Sequence, residues 1–202
     1  MEHLDYLLSG ALGLALAACS GFRVFVPLLA ASLAYRTGYL TPATGFAWLG
    51  SWPAVAVLGT ATVAEILGYY VPVVDNILDT ITGPAAFIAG TILMTSTLPD
   101  MPPMLRWSLG VVAGGGAAGI IQTGTSLLRA GSTVTTAGLG NPVLATLENL
   151  LALVGTVLGL LLPLLMAGLA LAGVVWVLVR LRHWRQRRAA RRAGLVAQAG
   201  GR

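Results

Sequence analysis

Seven acidic residues serve a chain of 202, and three of them, Glu65, Asp75 and Asp79, stand within one apolar stretch, "AEILGYYVPVVDNILDT" at 64–80. Glu148 lies in a second apolar run, and Arg23 interrupts a third at "SGFR". Arg129 falls at the end of a glycine-rich run. A charged Asp or Arg at the centre of a membrane helix costs roughly 2.5–3.5 kcal/mol, so such groups face a partner or a watery cavity instead of lipid. Two chemistries follow from these residue types. Arg–Glu pairs can brace a helix bundle, or the same groups can line a site for a small ion or polar solute. Asp75 and Asp79 are four residues apart on one helix face, where like charges repel. A cation, an arginine or a hydrogen-bonded network would relieve that repulsion. Calcium and magnesium favour oxygen ligands, but two carboxylates plus Asn76 do not specify a metal.

Enzyme chemistry has little to work with. His3 and His183 lie at opposite ends of the sequence, and the single Cys19 has no evident base or disulfide partner. No Ser/His/Asp arrangement stands out. "GGGAAG" at 114–119 matches the dinucleotide-binding spacing formally, but it has no preceding strand and no acid about 20 residues on. Close helix packing explains it better, and no cofactor is expected. A non-enzymatic protein is the reading.

The elements that position these residues belong to a membrane protein. Hydrophobic residues make up 56% of the chain and charged residues 9%, well below the roughly 25% of soluble domains. Mean hydropathy is +0.84. All 12 positive charges are arginine, and eight of them lie at or after Arg180 in a tail that begins "RLRHWRQRRAARRAG". On a membrane protein such a tail reads as a cytoplasmic anchor facing anionic lipid headgroups, not as a nucleic-acid site. The acidic opening "MEHLD" is unlike a cleavable signal peptide, so the first apolar run reads as a retained span. One transmembrane domain, 1–182, is expected, followed by a basic cytoplasmic tail, 183–202.

The apolar runs predict an all-α bundle of about six spans. The first, about Tyr6 to Tyr35, would be about 45 Å long as one helix, against a hydrocarbon core of about 30 Å, so a kink or break near Gly21 is expected. Trp48 and Trp52 suit a membrane interface in the following loop. The second span carries Glu65. From Pro72 to Thr82 the apolar residues Val74, Ile77, Leu78 and Ile81 recur at helical spacing. With Pro72 as a helix starter and Gly83-Pro84 as a stop, this predicts a short amphipathic helix at the rim. A short, tilted or re-entrant third span, Pro84 to Leu98, comes next. The fourth runs from Trp107 to Leu128, and the fifth, begun by an Asn141-Pro142 cap, carries Glu148. The sixth runs from Pro163 into the tail; a single helix bent at Pro163 is the alternative, giving five spans.

Six spans put both termini on one side, and the arginine bias makes that side cytoplasmic in a cell inner membrane. Arg36 and Arg106 then lie outside. The two halves of the chain echo one another weakly (a glycine-rich span, a span with one Glu, then one opening on Pro), which suggests a 3+3 inverted repeat. Gly115/Gly119 and Gly155/Gly159 form GxxxG pairs, a basis for homo-oligomers.

The stretches "SGFRVFVPLLAASL", "VPVVDNILDTITGPAAFIAG" and "GNPVLATLENLLAL" resemble the bacterial membrane-protein family catalogued as domain of unknown function 4126, from about Gly13 to Ala167. The Pro72, Asp75, Asp79, Pro84 pattern carries the resemblance, with Arg23, Asn141-Pro142 and Glu148 in support. It implies a membrane class and candidate residues and no activity. Where that family often carries an Asp-Lys pair, an Arg, a His and a second acid, this chain has Tyr69-Tyr70, Gly83, Gln122 and Asn149. The resemblance thereby adds Gln122 to the candidates. The combined expectation is a site of Arg23, Glu65, Gln122 and Glu148 that binds or transports a small ion or polar solute, with Asp75 and Asp79 at its cytoplasmic mouth. Pro72, Pro84, Arg129, Asn141 and Pro142 are expected to serve structure. A scaffold or lipid-organising protein, braced by the same charges, is the rival expectation.

Overall fold

The computed structural model describes the backbone of residues 2–200; the side chains of 2, 3, 72, 73, 76, 184, 185 and 187–200 lie outside the described residues, Asn76 and most of the basic tail among them. The described chain is all-helical: α1 (Glu2–Ser20), α2 (Phe25–Arg36), α3 (Trp52–Gly68), α4 (Pro72–Thr97), α5 (Pro103–Leu109), a π-helical turn (Gly110–Gly115), α6 (Gly116–Thr136), α7 (Asn141–Leu161) and α8 (Pro163–Gly200). Four stretches are long and apolar enough to cross a membrane: Ile77–Thr97, Pro103–Thr136, Asn141–Leu161 and Pro163–His183. Leu4–Ser20, Phe25–Arg36 and Trp52–Gly68 are apolar but shorter.

The expected break near Gly21 is a full reversal. Gly13 of α1 packs on Met94 and Thr97 of α4. Farther along the chain, the Tyr35 hydroxyl of α2 meets Ser96 Oγ at 2.9 Å, so α2 has returned to the level of Gly13. The turn between them, Gly21–Val24, therefore lies deep in the bundle. Gly21 fits there because a side chain would collide with the Ala118 carbonyl and Ile121. The first two helices form a hairpin, and irregular backbone at such depth is tolerated only where protein surrounds it.

Pro84 does not end a helix. Residues 72–97 form one helix of 26 residues with Pro84 inside it and its ring exposed. A proline in a helix interior removes one backbone bond and typically costs about 3 kcal/mol or more. Burial of Ala86, Ala89 and Leu93, each no more than 2% exposed, offsets that cost on the inner face. Neither a separate rim helix nor a re-entrant third span exists. The amphipathic pattern also faces the opposite way from its soluble meaning. Ile77 and Ile81 point outward, while Asp75 and Thr82 are buried.

Close helix contact at α4 accounts for the glycines of the fourth run. A methyl group on Gly114 would lie 2.3 Å from the Gly90 carbonyl oxygen, and one on Gly110 would lie 1.9 Å from Thr95 Oγ1. The π-helical turn sits at this contact. The GxxxG pairs are likewise spent inside the chain: Gly115 faces Phe87 and Thr91, Gly155 faces Cys19, and Gly159 faces Ala15. They are not free faces for a second copy.

Leu162 (φ −133°, ψ 61°) reverses the chain between α7 and α8. Gly155 lies beside Met166 across the resulting hairpin, and Gly173 reaches back to Ile121 of α6. Residues 143–179 are thus two antiparallel helices, not one bent helix. α8 runs continuously across the expected boundary at 182/183. It is parallel to α6, since Gly173 pairs with Ile121 and Gly124 with Val177. α1 is parallel to α6 as well, because both run against α4. The N-terminal end of α1 and the C-terminal end of α8 consequently lie at opposite ends of the bundle, where six equal spans had put them together. The hairpin is the cause, because α2 undoes the advance of α1 along the bundle. The repeat fares no better as a pair of equal units. α3 and α7, which carry the two buried glutamates, do run in opposite directions, but the first unit opens on a hairpin and the second on a through-going helix.

Candidate functional site

The hairpin turn delivers Arg23 into the bundle, 1% exposed. Its guanidinium donates to Glu148 Oε2 at 2.9 Å, to Asn149 Oδ1 at 2.5 Å and to the Ala145 carbonyl at 3.1 Å, all on α7. Arg129 reaches the same glutamate from α6, donating from Nε to Glu148 Oε1 at 3.2 Å and from a terminal nitrogen to Oε2. A further terminal nitrogen donates to Asp75 Oδ1 at 2.5 Å, and Asp79 Oδ1 lies 3.9 Å from Arg129 Nε. One guanidinium is therefore shared by carboxylates from α4 and α7. Arginine's planar fork of donors suits this sharing, and its charge beside Asp75 and Asp79 relieves their mutual repulsion.

The Tyr69 ring lies against both arginines. The guanidinium carbons of Arg23 and Arg129 lie 3.9 and 4.0 Å from its ring centroid. The Tyr69 hydroxyl donates to Thr82 Oγ1 at 3.2 Å, and Gln122 Nε2 donates to the same oxygen at 2.9 Å. Gln122 thus joins the network one layer out. Tyr69, Tyr70, Gln122 and Asn149 all contribute to this network, the Asn149 amide donating to the Tyr70 hydroxyl at 3.3 Å; Gly83 does not.

Glu65 takes a different part from the one expected. Its two carboxylate oxygens accept the Val24 and Phe25 backbone N–H groups at 2.8 and 3.0 Å. Helix α2 begins in apolar surroundings, where its first N–H groups lack intrahelical partners and carry the positive end of the helix dipole. Glu65, 3% exposed, caps that end from α3. It belongs to the site as the residue that holds the turn carrying Arg23.

Asn141 is not the cap of α7; Gly140 precedes the helix without a side-chain bond. The Asn141 amide instead donates to Asp75 Oδ2 and to Thr133 Oγ1, each at 3.1 Å. Pro142 remains in the first turn of α7, and Pro72 opens α4, as expected. Arg129 is mid-helix, 2% exposed and central, which the sequence alone did not separate from a helix-end arginine. Tyr69 was missed altogether. A lone tyrosine flanking an apolar run carries no signal until its two cationic neighbours are known.

The result is a buried network of two arginines and the carboxylates of Glu65, Asp75, Asp79 and Glu148, which if all ionised carry two more negative charges than positive. Every member makes a bond or ion pair within it except Glu65, whose oxygens accept backbone N–H groups of the turn beside Arg23; Asp79 Oδ1 and Asn141 Oδ1 lack a hydrogen-bond donor. Asp79 is the most open of the four, its side chain 23% exposed. Among the described residues no group of three His, Cys, Asp or Glu is arranged to hold a metal ion.

Long apolar helices around an interior ion-pair network define a helical membrane protein. More particularly, the chain belongs to the family described as domain of unknown function (DUF4126), whose pattern matches residues 11–183. No curated protein and no solved structure matches it.

Proposed function

We propose that this is a non-enzymatic membrane protein that binds a small ion or polar solute at the Arg23–Tyr69–Arg129 network and passes it across the bilayer. The observation that carries this reading is the convergence of ionisable side chains from four helices and the hairpin turn on one buried locus with a formal excess of negative charge. Intramembrane charges commonly mark ion or proton pathways. The excess favours a cation, the proton included. A half-length helix whose N-terminus ends mid-bundle, as α2 does, is a recurrent device at transporter sites. Asp79, less buried than its neighbours, is the group through which the ion is exchanged, and Glu65 positions the turn.

In this reading the end of the bundle bearing Asp75, Asp79 and the arginine tail faces the cytoplasm of a cell inner membrane, by the positive-inside rule. The acidic start of α1 then faces outward, with Arg36 and Arg106. Any homo-oligomer would form through the outer apolar faces of α7 and α8, since the GxxxG faces are occupied.

The test is flux of protons and monovalent cations into liposomes containing the full chain, compared with Asp79→Asn. The variant should abolish flux while keeping the wild-type melting temperature and elution volume. Full flux in a well-folded Asp79→Asn protein would remove this carboxylate from the path. A second reading, a scaffold braced by the same charges, is favoured by a specific observation: Arg23 and Arg129 are already paired with Glu148 and Asp75 inside the bundle. Loss of stability with no flux in any variant or in the wild type would favour it.

A further inference from the structure

We propose that the wedge between α6 and α8 is a binding site for an anionic phospholipid, with an acyl chain in the groove and the headgroup at Arg180. This proposal is independent of the transport reading. The helices touch where a side chain on Gly124 would lie 3.0 Å from Val177, then diverge toward the basic end of α8. The space they leave is about 600 Å³, within the range of about 300–1,000 Å³ typical of ligand pockets. Leu128, Val134, Trp176 and Leu181 line its walls, and among the described residues Arg180 is its one charged residue.

The chemistry of the lining selects the occupant. Apolar walls facing the bilayer take hydrocarbon, and no described carboxylate lines the groove to neutralise Arg180. Among the described residues Arg180 has no ion pair, whereas Arg23, Arg106 and Arg129 are each paired. Arg182 follows two residues on and is exposed. An acyl chain with a negative headgroup satisfies both the walls and the arginine; a zwitterionic lipid satisfies the arginine less well, and an apolar protein helix does not satisfy it. Each basic residue near an anionic surface is worth about a fivefold preference.

Trp176 makes the site observable. The full chain is reconstituted in vesicles containing brominated-chain phosphatidylglycerol or brominated-chain phosphatidylcholine, and the Trp176 signal is taken as the difference from Trp176→Phe. Phosphatidylglycerol should quench Trp176 at about fivefold lower mole fraction, and Arg180→Gln should erase that preference. Gly131→Leu should erase it too by filling the groove, and it should fold normally because nothing lies within 4 Å of an added Cβ there. Equal quenching by the two lipids in the wild type would overturn the proposal in favour of bulk lipid. No quenching by either would overturn it in favour of a protein segment, such as a second copy, covering the groove. A preference that survives Arg180→Gln would assign the selectivity to the tail and not to the groove.

Discussion

Arg23 and Arg129, two like charges, both lie against one tyrosine ring, 3.9 and 4.0 Å from the Tyr69 centroid. Both also donate to Glu148 Oε2, so the two guanidiniums are held close together. The face of an aromatic ring attracts a cation, more strongly when desolvated. Tyr69 and Glu148 together therefore offset the repulsion between the two arginines.

That arrangement predicts a graded response at Tyr69. Tyr69→Phe keeps the ring and loses only the hydroxyl bond to Thr82, so it should cost about 1 kcal/mol. Tyr69→Ala removes the ring from both arginines and should cost about 3–5 kcal/mol, as for other large-to-small changes in a core. Thermal unfolding in detergent measures both, and equal losses would deny the ring its part in holding the arginines.

Glu65 should behave as a cap. Glu65→Leu leaves the Val24 and Phe25 N–H groups without acceptors, at about 1–3 kcal/mol each. Glu65→Gln retains one acceptor oxygen and should lose about half as much. Limited proteolysis at residues 21–25 should accelerate in the order wild type, Gln, Leu. An unchanged cleavage rate in Glu65→Leu would mean that the turn is held by something else.

Gly114→Ala should be severely destabilising, because its methyl group would lie 2.3 Å from the Gly90 carbonyl and 2.4 Å from Met94 Cβ. Overpacking typically costs about 1–3 kcal/mol, and backbone-to-backbone contact leaves little room to relax, so the upper end is expected. Gly116→Ala two residues on, where an added Cβ meets nothing within 4 Å, should be neutral or slightly stabilising. A melting-temperature comparison of the two variants checks this.

The ends of the chain should be accessible from opposite sides of a membrane. In a Cys19→Ser background, Asp5→Cys and Gln186→Cys in sealed vesicles of uniform orientation should react with a membrane-impermeant maleimide on opposite faces. Labelling of both from one side would contradict the hairpin path of α1 and α2.

How much was legible beforehand differs residue by residue. Composition marked the membrane class, and the scarcity of charge made Arg23, Glu65 and Glu148 conspicuous as interior groups. Length alone located the break at Gly21, because thirty apolar residues exceed one crossing. The same cue did not say whether the chain kinks or turns back. That depends on Glu65, forty-one residues from Val24, whose carboxylate makes a helix start affordable deep in the bundle. At Pro84 the local rule was overridden, since Ala86, Ala89 and Leu93 gain more by packing on their neighbours than the proline loses.

The polarity of α4 shows the division most plainly. Its pattern of Val74, Ile77, Leu78 and Ile81 was fully determined by sequence and required a helix with one apolar face. Which face turns inward was not, because apolar side chains seek the core in water and the lipid in a bilayer, and only the assembled bundle supplied an interior partner for the other side. That partner is Arg129, fifty-four residues from Asp75. Residue types thus decided that charges would lie buried here; the long-range packing of α4, α6 and α7 around the hairpin turn decided which charge meets which, because an ion pair depends on distance in space and not on separation along the chain.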